Sequence, residues 1–262
     1  MAEEFFEQLI SCIRSDAARY PGQTIRQETI DALFAAAPVP PVPAAVPVPE
    51  TVPVPAERTA EPEISAPVPA PVSVKDSGMA ELWEICMKCE ACSLCKTRHS
   101  VVFGEGDPHA RLMFIGEGPG ADEDQQGRPF VGKAGQLLDK MIAAMQFRRE
   151  EVFIANVVKC RPPNNRVPGI EEANACIGYL KRQIELVQPE VIVLLGATAV
   201  TFLLGRQEGI TRLRGNWLAY EGIPVMPTYH PAFLLRQESA KRAAWSDLKM
   251  VMQALGKTVP GR

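Results

Sequence analysis

Long apolar runs are absent from this chain: none of about 18 residues occurs in its 262, so no membrane-spanning helix is expected. A basic leader is missing as well. The chain begins MAEEFFEQLI, acidic where a signal peptide would be positive, and it reads as soluble and cytoplasmic. An even set of scattered cysteines, the mark of a disulfide framework, is also lacking. The seven cysteines present are odd in number with four clustered, which suits a reducing compartment and metal ligation. With 46% hydrophobic residues the chain can bury a core without a metal to fold it.

The formal charge of −3 conceals an asymmetry. Residues 1–78 carry 5 Lys+Arg against 11 Asp+Glu, net −6, and the remainder carries 23 against 20, net +3. An acidic arm therefore precedes a mildly basic body, whose charge permits nucleic-acid binding without requiring it. Between them, Pro38 to Pro71 holds twelve of the 24 prolines and no aromatic residue. Such a stretch can neither donate a regular hydrogen-bond ladder nor bury a core. It reads as a polyproline-rich spacer reaching on the order of 100 Å at about 3.1 Å per residue, either a passive tether or a docking site for a proline-recognising partner. Ahead of it, Phe5, Phe6, Leu9, Ile10 and Ile13 share one helical face, and RQETIDALF continues as a second short helix. Forty residues seldom sustain a core alone, so this arm is expected to pack on something, such as a protein partner. The predicted organisation is a helical arm over 1–36, a proline-rich linker over 37–78 and a folded domain over 79–262.

From Met79 onward short β-rich runs (RLMFIG, VFIANVV, EVIVLLG, IPVMPTYH) alternate with longer amphipathic ones such as GQLLDKMIAAM and EEANACIGYLKRQIELV. That alternation predicts an α/β domain with a parallel sheet between helices. Ligands of such sheets bind beyond the carboxyl ends of the strands, which directs attention to the loops after Ile115, Val158, Leu195 and Pro227.

The first of these loops reads GEGPGADEDQQGRPFVGKAG. Its tail, Gly127 to Ala134, imitates a phosphate-cradling GxxxxGK loop but has Ala134 where a magnesium-holding hydroxyl belongs, so nucleotide hydrolysis is set aside. Its front combines Gly116, Gly118 and Gly120, which allow close approach of backbone to ligand, with Glu117, Asp122, Glu123 and Asp124. Those carboxylates could bind a cation, assist acid/base work or simply face solvent. The loop after the last strand supplies TYHPAFLLR, with one of three histidines in the chain, His230, beside Phe233, Leu234, Leu235 and Arg236. Apolar tips beside a cation suit insertion into a base stack, and a buried helix start would look similar.

Residues 86–95, CMKCEACSLC, place four cysteines at three-residue intervals. From spacing alone, zinc and a 4Fe-4S cluster are equally open.

Taken in order, C-x-x-C-x-L, GEGPGADEDQQGRPFVGKAG, NVVKCRPP, a later helical cysteine and YHPAFLLR resemble the family 4 uracil-DNA glycosylases, the iron-sulfur branch of their superfamily. The resemblance spans about residues 80–256. It implies a three-layer α/β fold with a four-stranded parallel sheet between helices, and hydrolytic removal of uracil from uracil-containing DNA, single or double stranded, at the start of base excision repair. It also implies a 4Fe-4S cluster on Cys89, Cys92, Cys160 and Cys176, with Cys86 and Cys95 spare. Phe130 becomes the stacking face, Asn156 the reader of uracil O4 and N3–H, and His230 the donor to uracil O2. Gly118 occupies the position where a related branch uses an aspartate, leaving Glu117 and Glu123 as the carboxylates for the water, and Gly120 lines the base site. Phe233, Leu234 and Arg236 are expected to touch DNA. No histidine occurs from Cys160 to Gly169, so turnover is expected and covalent capture is not. Two alternatives stay open: excision of other deaminated bases such as hypoxanthine or xanthine, and a non-catalytic iron-sulfur module that binds DNA.

Overall fold

A computed structural model describes residues 78–259. The helical arm and the proline-rich linker expected before Gly78 lie outside the described residues. No described helix is long and apolar enough to cross a membrane.

Four parallel strands form the centre of the sheet: β2 (Leu112–Gly116), β3 (Phe153–Asn156), β4 (Val191–Leu195) and β6 (Ile223–Thr228), ordered β3-β2-β4-β6. These are the four apolar runs of the sequence; β2, β3 and β4 are buried on both faces as parallel strands are, and β6 is buried from Val225 on. The sheet is wider than that expectation. Two short antiparallel edges flank it, β1 (Glu105–Gly106) against β3 and β5 (Leu218–Tyr220) against β6, making six strands in a mixed sheet.

Side chains alternate across the strands and build two cores. Met113, Ile115, Ala155, Ile192 and Leu194 face helices α1 (Met79–Met87), α4 (Ile170–Val187) and α5 (Ala197–Leu204). Leu112, Phe114, Ile154, Val191 and Val193 face the opposite layer, α3 (Lys133–Ala144) and α8 (Lys241–Ala254). Two short helices, α2 (Ala121–Gln126) and α7 (Pro231–Arg236), follow the carboxyl ends of β2 and β6; a single helical turn, α6 (Ile210–Leu213), precedes β5.

The chain runs from β2 to β3 on one side and returns to β4 on the other. The strand order therefore reverses at β2, where open α/β sheets leave a crevice above their carboxyl ends.

Candidate active site and cysteine centre

A cleft of about 560 Å³ occupies that crevice, lined by the loop after β2, the loop carrying Phe130, the end of β3 and the start of α7. Phe130 is buried with φ 51°, left-handed backbone that a bulky residue adopts only when its surroundings force it. Arg149 holds this turn. Its guanidinium donates to the carbonyls of Pro129 (2.5 Å) and Phe130 (3.3 Å) and to the carboxylates of Asp139 (2.6 Å) and Glu105 (3.3 Å). Charged hydrogen bonds of this kind contribute about 1.5 to 3 kcal/mol each. Arg149→Met is accordingly expected to lower unfolding free energy by about 2 to 4 kcal/mol in chemical denaturation, since the two loop carbonyls lose their charged donor.

Asn156 closes β3 at the floor of the cleft. A Cβ on Gly116 would sit 2.5 Å from Asn156 Oδ1 and 2.6 Å from Phe130 Cζ, so only glycine lets amide and ring come this close together. Asn156 Oδ1 is buried with no hydrogen-bond partner among the described residues. An orphaned amide oxygen of this kind is costly unless a ligand completes it.

His230 caps α7. The backbone N–H of Ala232 donates to His230 Nδ1 (3.1 Å), so Nδ1 is the acceptor and the proton of the neutral ring lies on Nε2. Burial, helped by the charge of Arg236 and opposed by Glu123, pulls its pKa down to about 4. At neutral pH the ring is thus an uncharged N–H donor. It stands 5.7 Å from the Phe130 ring, tilted by 33°, and its Cβ rests beside Gly196, whose φ of 92° and missing side chain leave it room. Behind it, Thr228 donates to the buried Asp247 carboxylate (2.7 Å), which also receives the guanidinium of Arg214, and that guanidinium lies 5.4 Å over the Tyr229 ring. The loop carrying His230 is held on both flanks.

The two carboxylates differ. Glu123 accepts from the backbone N–H groups of Gly120 (3.0 Å), Val131 (2.9 Å) and Gly132 (2.9 Å), which makes it the staple of the cleft wall. Asp124 likewise receives the N–H groups of His99 and Ser100. Much of the acidic run thus holds backbone. Glu117 lines the same cleft beside Gly118 and Gly120, its carboxylate with no hydrogen-bond partner among the described residues.

At the mouth, Phe233 and Arg236 line the cleft, and Phe233 is 37% exposed. Leu234, expected at the DNA, is corrected by the structure: it is 2% exposed and turned into the fold, whereas Leu235 is 43% exposed. The reason is helical phase. Pro231 starts a helix, and in a helix neighbouring side chains point in different directions, so Leu235 is presented where Leu234 is hidden.

On the far side of β3, a narrow buried cavity is lined by Cys86, Cys89, Cys92, Cys95, Cys160 and Cys176, together with Arg98, Lys159 and Tyr179. Arg98 donates to Cys160 Sγ (3.3 Å) and to the Cys89 carbonyl (2.7 Å), and the Lys159 N–H donates to Cys176 Sγ (3.2 Å). N–H donors aimed at sulfur suit thiolates that bear negative charge. Burial pushes the Cys86 and Cys176 thiols up to about 12, so a metal held by Cys176 has to displace its proton. Nearby, Ser93 and Arg166 both bond the Glu172 carboxylate, whose pKa Arg166 and the other donors pull down to about 2; they join the cysteine segment to α4. The donor set fits an iron-sulfur centre.

Arg149 and Lys159 were invisible to sequence reasoning, because a lone basic residue carries no sign of burial. The remaining expected site residues other than Leu234 line either the cleft or the cysteine cavity.

An aromatic face, an unsatisfied amide and a neutral imidazole donor around one cleft, on a three-layer α/β domain, define a protein that holds a single flat ring with polar edges. The chain belongs to the uracil DNA glycosylase superfamily, whose family model matches residues 103–249. It is 53% identical over 156 residues to a type-4 uracil-DNA glycosylase of Thermotoga maritima, covering 58% of this chain and 80% of that protein. It is 42% identical over 182 residues to a type-4 uracil-DNA glycosylase of Archaeoglobus fulgidus, covering 66% and 92%. A type-5 uracil-DNA glycosylase of Pyrobaculum aerophilum is more distant, 32% identical over 145 residues, covering 48% and 63%.

Proposed function

We propose that this protein hydrolyses the bond between uracil and deoxyribose in DNA, leaving an abasic site for base excision repair. The observation that carries this reading is the convergence of Phe130, Asn156 and His230 on one cleft. A base must be rotated out of its stack before it can reach such a depth, at a cost of a few kcal/mol. Phe233 and Arg236 at the mouth, with the exposed Leu235 beside them in sequence, fill or brace the gap it leaves.

Within the cleft the ring stacks on Phe130, and the Asn156 amide accepts from N3–H and donates to O4. Cytosine presents the reversed edge and leaves that amide mismatched. As the bond breaks, the base becomes an anion and the sugar cation-like. His230 Nε2–H donates to the growing charge at O2, which a neutral donor does without giving up its proton. Glu117, its carboxylate uncommitted, orients the water, and Glu123 fixes the wall against which the base lies. A cation-like sugar requires only weak activation of that water.

Cys89, Cys92, Cys160 and Cys176 hold a 4Fe-4S cluster, which when bound supplies iron-thiolate bonds tying the N-terminal segment to the sheet. Cys86 and Cys95 are spare thiols.

The test is release of free base from oligonucleotides carrying uracil, hypoxanthine or xanthine. Uracil release from single or double strands is the expected result. Release of hypoxanthine or xanthine in its place would shift the substrate, and binding without any release would leave a DNA-binding module.

A further inference from the structure

Lys159 stands between the two centres, and the proposed function does not use it. It is 1% exposed, an unusual place for an ammonium group. Its Nζ donates to the backbone carbonyl of Asn156 (2.9 Å) and to Gln183 Oε1 (2.6 Å). Gln183 is pinned in turn, its Nε2 donating to the Phe103 carbonyl (2.9 Å). The Lys159 backbone N–H donates to Cys176 Sγ (3.2 Å), and the next residue is Cys160. One residue therefore holds the backbone of the amide in the cleft with its side chain and a cysteine of the other cavity with its main chain.

The geometry matters because nothing else described grips the amide oxygen. Asn156 Oδ1 has no hydrogen-bond partner among the described residues, so its aim depends on steric contact with Gly116 and Phe130 and on the position of its own backbone. A recognition group has to be held within about 0.5 Å of its working geometry, and a 1 Å misplacement can cost about 100-fold. The Val157 N–H bonds the Gly116 carbonyl (3.0 Å) and the Val158 N–H bonds the Glu117 carbonyl (3.1 Å), fixing this strand extension toward β2. From the opposite direction, the fixation at Asn156 comes from Lys159.

We infer that Lys159 is a positioning residue for the base reader: it sets the pose of Asn156 and couples that pose to the cysteine centre. This rests on Asn156 reading uracil as proposed above. Its consequence is specific. Loss of the Lys159 ammonium degrades discrimination between uracil and cytosine, a property of the amide's aim, while the iron stays in place.

The experiment measures dissociation constants of the iron-loaded protein for oligonucleotides bearing 2′-fluoro-2′-deoxyuridine or 2′-fluoro-2′-deoxycytidine, whose glycosidic bonds resist hydrolysis. Iron content and visible absorption are recorded on the same samples. For Lys159→Met, which keeps an unbranched side chain but lacks the terminal donor, the uracil-to-cytosine affinity ratio is expected to fall at least tenfold with iron unchanged. Gln183→Leu leaves the lysine in place but removes one of its two anchors, and should lower the ratio by a smaller factor; it carries the test if the lysine variant does not fold. An unchanged ratio in a folded, iron-loaded variant overturns the inference, and so does loss of iron in step with the ratio, which would make Lys159 a scaffold for the metal alone. Asn156→Ala is the separate control. If that variant keeps the wild-type ratio, the reading of Asn156 fails; if it loses the ratio and Lys159→Met does not, the positioning role of Lys159 fails and the reading of Asn156 stands.

Discussion

Replacing His230 by alanine is expected to slow uracil release by about 10² to 10³, or 3 to 4 kcal/mol, with KM changed far less. Timing separates the two constants: the Nε2 proton meets little charge on uracil in the ground state and nearly a full charge as the bond breaks. Single-turnover kinetics on a uracil-containing oligonucleotide measure this directly. A matching loss in KM with kcat preserved would contradict it. The same group fixes a pH dependence. Because burial holds the folded-state pKa near 4 instead of about 6.5, the neutral donor persists to about pH 4, and no activity loss from His230 should appear at pH 6. Stability behaves differently. Between pH 6.5 and 4 the unfolded chain takes up a proton at this position and the folded chain does not, so stability falls as pH drops through that window. Thermal unfolding of His230→Ala from pH 7 to 4 should show a shallower decline than wild type.

The second large effect lies in the cysteines. Cys160→Ala is expected to abolish the brown colour and the iron, about four atoms per chain in wild type, whereas Cys86→Ala and Cys95→Ala keep both. A clamp worth what a covalent cross-link is worth, about 2 to 5 kcal/mol, corresponds to a Tm lower by roughly 5 to 20 °C in a domain of this size. All six described cysteines line one cavity, so the contrast between these variants decides which thiols bind. Iron lost from Cys86→Ala would assign that buried thiol a ligand role.

The four central strands were legible because fully buried parallel strands are continuous apolar runs, and each such run in the sequence became one. The edges were not. Glu105–Gly106 is two residues long, and Leu218–Tyr220 lies beside turn residues with no repeating pattern to mark it. The acidic run after β2 was read as a loop, yet Ala121–Gln126 is helical, with Glu123 and Asp124 turned onto backbone amides. A string of carboxylates does not reveal which of them will find buried N–H groups. Leu234 and Leu235 differ only in helical phase, and six residues are too few to read a phase from. Glycine spacing and the lone His230 did point to the cleft. The parts that stayed hidden, Arg149 and Lys159, act through burial, which depends on what the fold stacks over them.

The left-handed backbone at Phe130 turns one position into its own control. Elsewhere, exchanging alanine for glycine costs about 0.5 to 1 kcal/mol, because the unfolded chain gains freedom. At φ 51° the order should invert, since glycine releases a strain of about 1 kcal/mol or more that alanine keeps. Phe130→Gly should therefore unfold at a higher denaturant concentration than Phe130→Ala, while both bind base equally poorly for want of the ring. The pair separates what the ring gives to recognition from what its awkward seat takes from the fold.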